Sequence, residues 1–197
     1  MGSTPIVLVD HPAERALFDG ALTCDAVLPA RFDAGARTLM QGPSEALLKG
    51  LAVAEDVRGE DPEDRKEATP SQQRIEAKLD LVLSLLGRLA RRHDEALPVT
   101  ALRWSHRGLR LDVASPAAAA TGDAGVVTVQ PATWLSDHIE LPARLLAQAQ
   151  GPHGGHHLWL QFDALGAGLA EAMDRHLFRL HRRQIAEARQ SLLADRG

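Results

Sequence analysis

Apolar and polar residues alternate in short runs through residues 17–32 and again between residues 97 and 162, whereas residues 43–56, 71–93 and 168–196 repeat with the three-to-four spacing of helices. The first run, LFDGALTCDAVLPARF, predicts one strand ending near Pro29. Residues 43–56, PSEALLKGLAVAED, predict a short helix with Ser44 as N-cap and Leu47, Leu48 and Leu51 on one face. Residues 58–71 are charged and carry Pro62 and Pro70. They hold almost no large apolar side chain, the composition of a solvated linker.

Residues 71–93 carry the strongest helical pattern of the chain, with Ser71 after Pro70 as its cap. Apolar positions step through Ile75, Leu79, Val82, Leu86 and Leu89, alternating four and three, which is the period of a coiled-coil seam. Taking Leu79 and Leu86 as position a places Ile75, Val82 and Leu89 at d. Leucine at a with β-branched residues at most d positions leans toward four strands. Leu81, Leu83 and Leu85 widen the apolar surface beyond a two-helix seam. The competing reading is a helix packed on its own domain; the register favours self-association, as a homotetramer before a dimer.

A β-rich block follows. Strands are expected over residues 97–104, 109–114, 124–131, 138–150 (bent at Pro142, as at an edge or bulge) and 157–162. Short, evenly spaced strands joined by glycine-rich turns suggest an antiparallel sheet or barrel. In the closing helix, Leu169, Met173, Leu177 and Leu180 form one stripe, and Phe178, Ile185 and Leu192 a second. Two stripes imply two contact surfaces, one for the sheet and one for another helix.

Composition narrows the function. The 197 residues are 45% apolar and 24% charged, with a formal net charge of −4, which argues against a dedicated DNA binder. Tyrosine is absent and aromatics are sparse, so an aromatic platform for RNA is not expected. The single cysteine, Cys24, excludes a disulfide framework and reads as a small buried hydrophobe. No secretory leader, myristoylation pattern or membrane-spanning run is read, so a cytoplasmic protein without membrane insertion is expected. No nucleophile elbow, P-loop or dinucleotide fingerprint appears, so no enzyme is expected. His153, His156 and His157 in HGGHH invite a metal-dependent enzyme as an alternative, but no cysteine or His-Glu-x-x-His helix supports a metal site there. His176 and His181 are expected to be partly exposed packing residues. Arg183 and Glu187 are expected to pair along their helix.

The stretch LRWSHRGLRLDV, a Gly-Asp turn, further strands and a helix reading HLFRLHRRQIAEAR occur in an order that resembles the PilZ family. Those are small bacterial domains on a six-stranded antiparallel barrel, many of which bind cyclic di-GMP. The resemblance implies an α+β fold: a PilZ-like β-barrel with an inserted coiled-coil helix and a long C-terminal helix. Residues 1–43 would supply the N-terminal barrel strand, 44–93 the inserted helices and linker, 94–165 the barrel and 166–197 the C-terminal helix.

The family's ligand motif pairs Arg-x-x-x-Arg with Asp/Asn-x-Ser-x-x-Gly. Arginine forks onto phosphate oxygens or guanine edges, and glycine lets the backbone approach the ligand. Here Ser105 and Gly108 match the second part, while the Asp/Asn slot holds Arg103, which cannot accept guanine N–H bonds. The only Arg-x-x-x-Arg ahead of that turn is Arg88 and Arg92, at the end of the 71–93 helix, where cations also favour the helix dipole. The resemblance therefore implies a noncatalytic regulator or adaptor in cyclic di-GMP signalling, with no resident cofactor and an unidentified protein partner. The alternative it leaves is a cyclic di-GMP receptor with a degenerate site of Arg88, Arg92, Arg103, Ser105 and Gly108.

Overall fold

The computed structural model describes residues 9–35, 37–59, 96–135, 137–151 and 154–194. Six strands, β1 (Cys24–Ala34), β2 (Val99–Ser105), β3 (Gly108–Val113), β4 (Ala124–Val129), β5 (Ile139–Gln150) and β6 (His156–Phe162), close an antiparallel barrel in the order β1-β2-β3-β6-β5-β4. β1 makes closure possible by serving two neighbours in turn. Its first half, Cys24 to Pro29, pairs with β2, and its second half, Ala30 to Ala34, pairs with β4. Every strand thus has partners on both sides, so no edge is left open.

Alternation fills the interior. Leu28, Ala30, Leu102, Trp104, Leu109, Leu111, Val127, Val129, Ile139, Leu141, Leu145, Leu158 and Leu160 point inward and are buried. Gly125 in β4 lets β1 approach closely: a Cβ there would stand 2.5 Å from the Asp33 carbonyl oxygen and the Phe32 ring. One end of the barrel is covered by α3 (Ala167–Ala194), which adds Leu169, Ala172, Met173 and Leu177 to the core. α2 (Gly42–Gly59) brings Leu48 to the same cluster and buries Leu51. It packs on α3, where Glu55 accepts from Arg179 Nε at 3.2 Å and Arg183 Nη2 at 2.7 Å. Of the second α3 stripe, Phe178 and Ile185 are exposed.

Several expectations are corrected. The run at 17–32 is not one strand: Leu17 and Phe18 end a short helix, α1 (Pro12–Phe18), and Gly20 turns the chain at φ 66° before β1 begins. Pro12 in the first turn and the His11 ring, which accepts from Ala13 N–H at 3.1 Å, start α1. Ser44 lies inside α2 rather than capping it; its buried hydroxyl donates to the Glu140 carbonyl and accepts from the Glu140 N–H. Pro142 sits on neither an edge nor a bulge. It pairs with Val126, and the β5 irregularity falls between Leu145 and Ala147. Arg183 pairs with Glu55, and His176 is fully buried. The coiled-coil positions Ile75, Leu79, Val82, Leu86 and Leu89 lie outside the described residues, as do Arg88, Arg92 and His153. Among the described residues, no helix is long and apolar enough to cross a membrane.

Candidate ligand-binding face

With Leu102, Trp104, Leu109 and Leu111 turned into the barrel, Arg103 and Arg110 must reach its outer wall. They face each other in the β2–β3 register, and Arg110 faces Trp159 of β6. Two guanidiniums and an indole therefore form one row across three strands. Arg110 is 0% exposed and needs a counter-charge to be tolerated there.

α1 supplies it. Ala13, Leu17 and Phe18 pack with Trp159 in a small apolar cluster outside the barrel. Glu14 turns down onto the row. Its Oε1 accepts from Arg103 Nη1 at 3.1 Å and Arg110 Nη1 at 2.9 Å, and its Oε2 accepts from Trp159 Nε1 at 2.6 Å. The His11 ring stacks on the Trp159 indole, 4.4 Å between centroids and 11° from parallel. Asp25 takes two further bonds from Arg103, at 2.9 and 3.2 Å. Asp25 first, then Glu14, hold the Arg103 guanidinium protonated above its usual range. Asp112 accepts from Arg110 Nε at 3.0 Å and lies 2.6 Å from His157 Nδ1.

The β2–β3 turn lies under the C-terminal end of α1. Ser105 is fully buried; its hydroxyl donates to the Leu17 carbonyl at 2.8 Å and accepts from Arg107 N–H at 3.1 Å. Arg107 Nη1 reaches the Ala16 and Asp19 carbonyls at 3.3 and 3.0 Å. These bonds satisfy carbonyls that a helix leaves open at its end. Gly108 pairs with Ser105 and Gln161; a Cβ there would overlap the Leu160 carbonyl oxygen and meet Leu17 Cδ2 at 3.0 Å. The structure thus brings Arg103, Ser105 and Gly108 together, but beneath a helix of the same chain. Arg110 and Trp159 could have been found from their alternation with the leucines beside them, Leu109 and Leu111 in β3 and Leu158 and Leu160 in β6. Glu14 and His11 carry no sequence signal for this face.

The histidines of the β5–β6 hairpin do not converge. His156 and His157 are consecutive in β6 and point to opposite faces. Among the described residues, no group of three His, Cys, Asp or Glu side chains could hold a metal ion.

The family model described as "atypical PilZ domain, cyclic di-GMP receptor" matches residues 48–190. The chain belongs to the atypical PilZ domain family. A Xanthomonas campestris protein shares its fold and much of its sequence: 46% identity, over 88% of this chain and 96% of that one, with a TM-score of 0.74. That protein is described as pathogenic, with a new tetrameric PilZ domain self-assembled via an unusual helical bundle. A Bacillus subtilis inhibitor of motility matches remotely, at 20% identity over 45% of this chain and 43% of its own, with a TM-score of 0.37. Among curated proteins none matches. The PilZ match begins inside α2, so α1 and β1 both precede the matched residues.

Proposed function

We propose that this atypical PilZ protein is a noncatalytic, cytoplasmic adaptor of bacterial cyclic di-GMP signalling. It assembles with copies of itself and does not hold cyclic di-GMP on its motif turn. The observation that carries this reading is the filling of that turn by α1. The Ser105 hydroxyl is bonded to Leu17, the Arg103 donors are engaged by Asp25 and Glu14, and the Leu17 side chain lies against Gly108. With Arg103 in the Asp/Asn slot of the motif, the acceptor for guanine is missing as well.

Self-assembly through residues 71–93 is supported by the seam Ile75, Leu79, Val82, Leu86 and Leu89 and by the tetrameric Xanthomonas relative. A tetramer would array four barrels, and multivalency would strengthen weak contacts with a protein partner in motility, pilus function or virulence. The double substitution Leu79→Asp, Leu86→Asp should convert the assembly to monomers by sedimentation; an unchanged mass would sink the coiled-coil assignment.

The family's description as a cyclic di-GMP receptor favours one second reading, a receptor with a degenerate site at Arg88, Arg92, Arg103, Ser105 and Gly108. It requires cyclic di-GMP binding that weakens on Ser105→Ala and on Arg92→Ala.

A further inference from the structure

α3 has a second face, turned away from the barrel. Phe178 and Ile185 stand seven residues apart on it, 53% and 40% exposed, with His181 and Ala188 between and after them at helical spacing. Gln184, which donates to the Asp25 carbonyl, is the last side chain of α3 to bond outside its helix among the described residues. From Ile185 to Ser191 every position is exposed, so the last turns run clear of the barrel. The border of this face is basic. Arg182 and Arg189 follow Phe178 and Ile185 by four residues each, the spacing of neighbours on a helix. Both are exposed and make no ion pair among the described residues. Arg179 and Arg183 are already held by Glu55, and Glu187 is the only carboxylate between Arg175 and Ser191. On a chain of formal net charge −4, this stretch is a local reversal of sign.

An apolar seam at heptad spacing is complementary to a helix, and free arginines along its edge select an acidic one. We propose that the Phe178–Ile185 face of α3 is the docking surface for an amphipathic helix of a partner protein, apolar along its seam and lined with Asp or Glu at its edge. The proposal rests on the adaptor reading and gives its protein partner a chemistry. Other occupants match the charge less well. Residues 71–93 carry Arg74, Lys78, Arg88, Arg91 and Arg92 against Glu76 and Asp80, and a second α3 would bring arginine to arginine. A nucleic acid would engage the arginines through its phosphates and gain nothing from Phe178 and Ile185. Two large apolar side chains make a weak contact alone, and presentation of several copies in one assembly would strengthen it.

The test places a thiol on the face of the full-length protein, whose own Cys24 is buried. Ile185→Cys is labelled with a disulfide reagent, and Met40→Cys, at a position 78% exposed ahead of α2, is the reference. Similar rates at the two sites are expected and mean that the face is open. Strong protection at residue 185 would mean that residues 71–93 or a second copy already cover it, and would overturn the proposal. The probe is a helical peptide with leucines at the seam positions of each heptad and glutamates beside them; its twin carries lysines in place of the glutamates. In excess, the acidic peptide should slow labelling at residue 185 about tenfold and leave residue 40 unchanged, and the lysine twin should have no effect. Arg182→Glu with Arg189→Glu should exchange the effects of the two peptides. No protection by the acidic peptide, or equal protection by both, would refute the docking surface. Should the double variant fail to fold, Phe178→Ala should remove the protection, and protection that persists would refute it equally. Tight binding of cyclic di-GMP by the wild type would sink the adaptor reading instead, and the labelling rates would still decide whether this face takes an acidic helix.

Discussion

His176 is a neutral residue placed where a proton is hard to accept, and the consequence is a stability that depends on pH. It sits on α3, 0% exposed, its ring 5.8 Å from that of Trp104 inside the barrel. Neither ring nitrogen makes a hydrogen bond of ordinary geometry among the described residues, and the Pro131 backbone opposes the resulting shift only slightly. Burial pushes its pKa down from 6.5 to about 4; Glu55 of α2 opposes the shift, and Arg179 and Arg183 of α3 add to it. In the unfolded chain the imidazole regains its ordinary value. Between pH 6.5 and 4 the unfolded state therefore binds a proton that the native state refuses, and stability falls as pH falls. From pH 7.5 to 5.0 the loss works out at about 2 kcal/mol, rising to about 3 kcal/mol below pH 4, where both states are protonated. Carboxylates titrate in the same range, so the quantity to measure is a difference. Urea unfolding of the wild type and of His176→Leu at pH 7.5 and 5.0 isolates it. The wild type should lose about 2 kcal/mol more than the variant over that interval. Parallel losses would refute the assignment of a buried, neutral His176.

Three further outcomes follow from the packing. Gly108→Ala drives a methyl into the Leu160 carbonyl and against Leu17, and it should cost about 3 kcal/mol by thermal or urea unfolding even with no nucleotide present; a neutral substitution would mean that the glycine serves a ligand rather than the β3–β6 approach. The Cys24 thiol, raised to about 11 by burial and by Asp25, should resist a disulfide reagent at pH 8 until the barrel unfolds, and prompt labelling of native protein would contradict its placement under α3. Ser44→Ala removes a buried hydroxyl that both donates to and accepts from Glu140, and it should lower stability by about 1–2 kcal/mol, measured by urea unfolding; no change would show that α2 is not stitched to β5 there.

The barrel was legible because its strands obey one rule. Leu109 and Leu111 alternate with Arg110, and Leu158 and Leu160 alternate with Trp159, so the inward face could be read residue by residue. The α3 stripe of Leu169, Met173 and Leu177 was legible for the same reason at helical spacing. α1 was not. Its apolar residues Ala13, Leu17 and Phe18 span barely two turns, and Leu17 and Phe18 run directly into the alternation of the next strand. Ser44 looked like a cap because serine before a leucine-rich run usually is one; only the fold brings Glu140 to it.

The candidate face was half legible. Arg103, Ser105 and Gly108 are neighbours in sequence and in space. Glu14 reaches Arg103, Arg110 and Trp159 across separations of 89, 96 and 145 residues, and no local pattern encodes such contacts. His176 was misplaced for a related reason: its burial depends on α3 covering the barrel at Trp104.

The most direct test of the account is a calorimetric titration of the full-length wild type with cyclic di-GMP, with the mass in solution recorded in the same buffer. The account predicts no binding heat from a protein that sediments as a homo-oligomer, a tetramer before a dimer. Micromolar or tighter binding would contradict it, and the motif turn under α1 would have to be the receptor site that the adaptor reading denies.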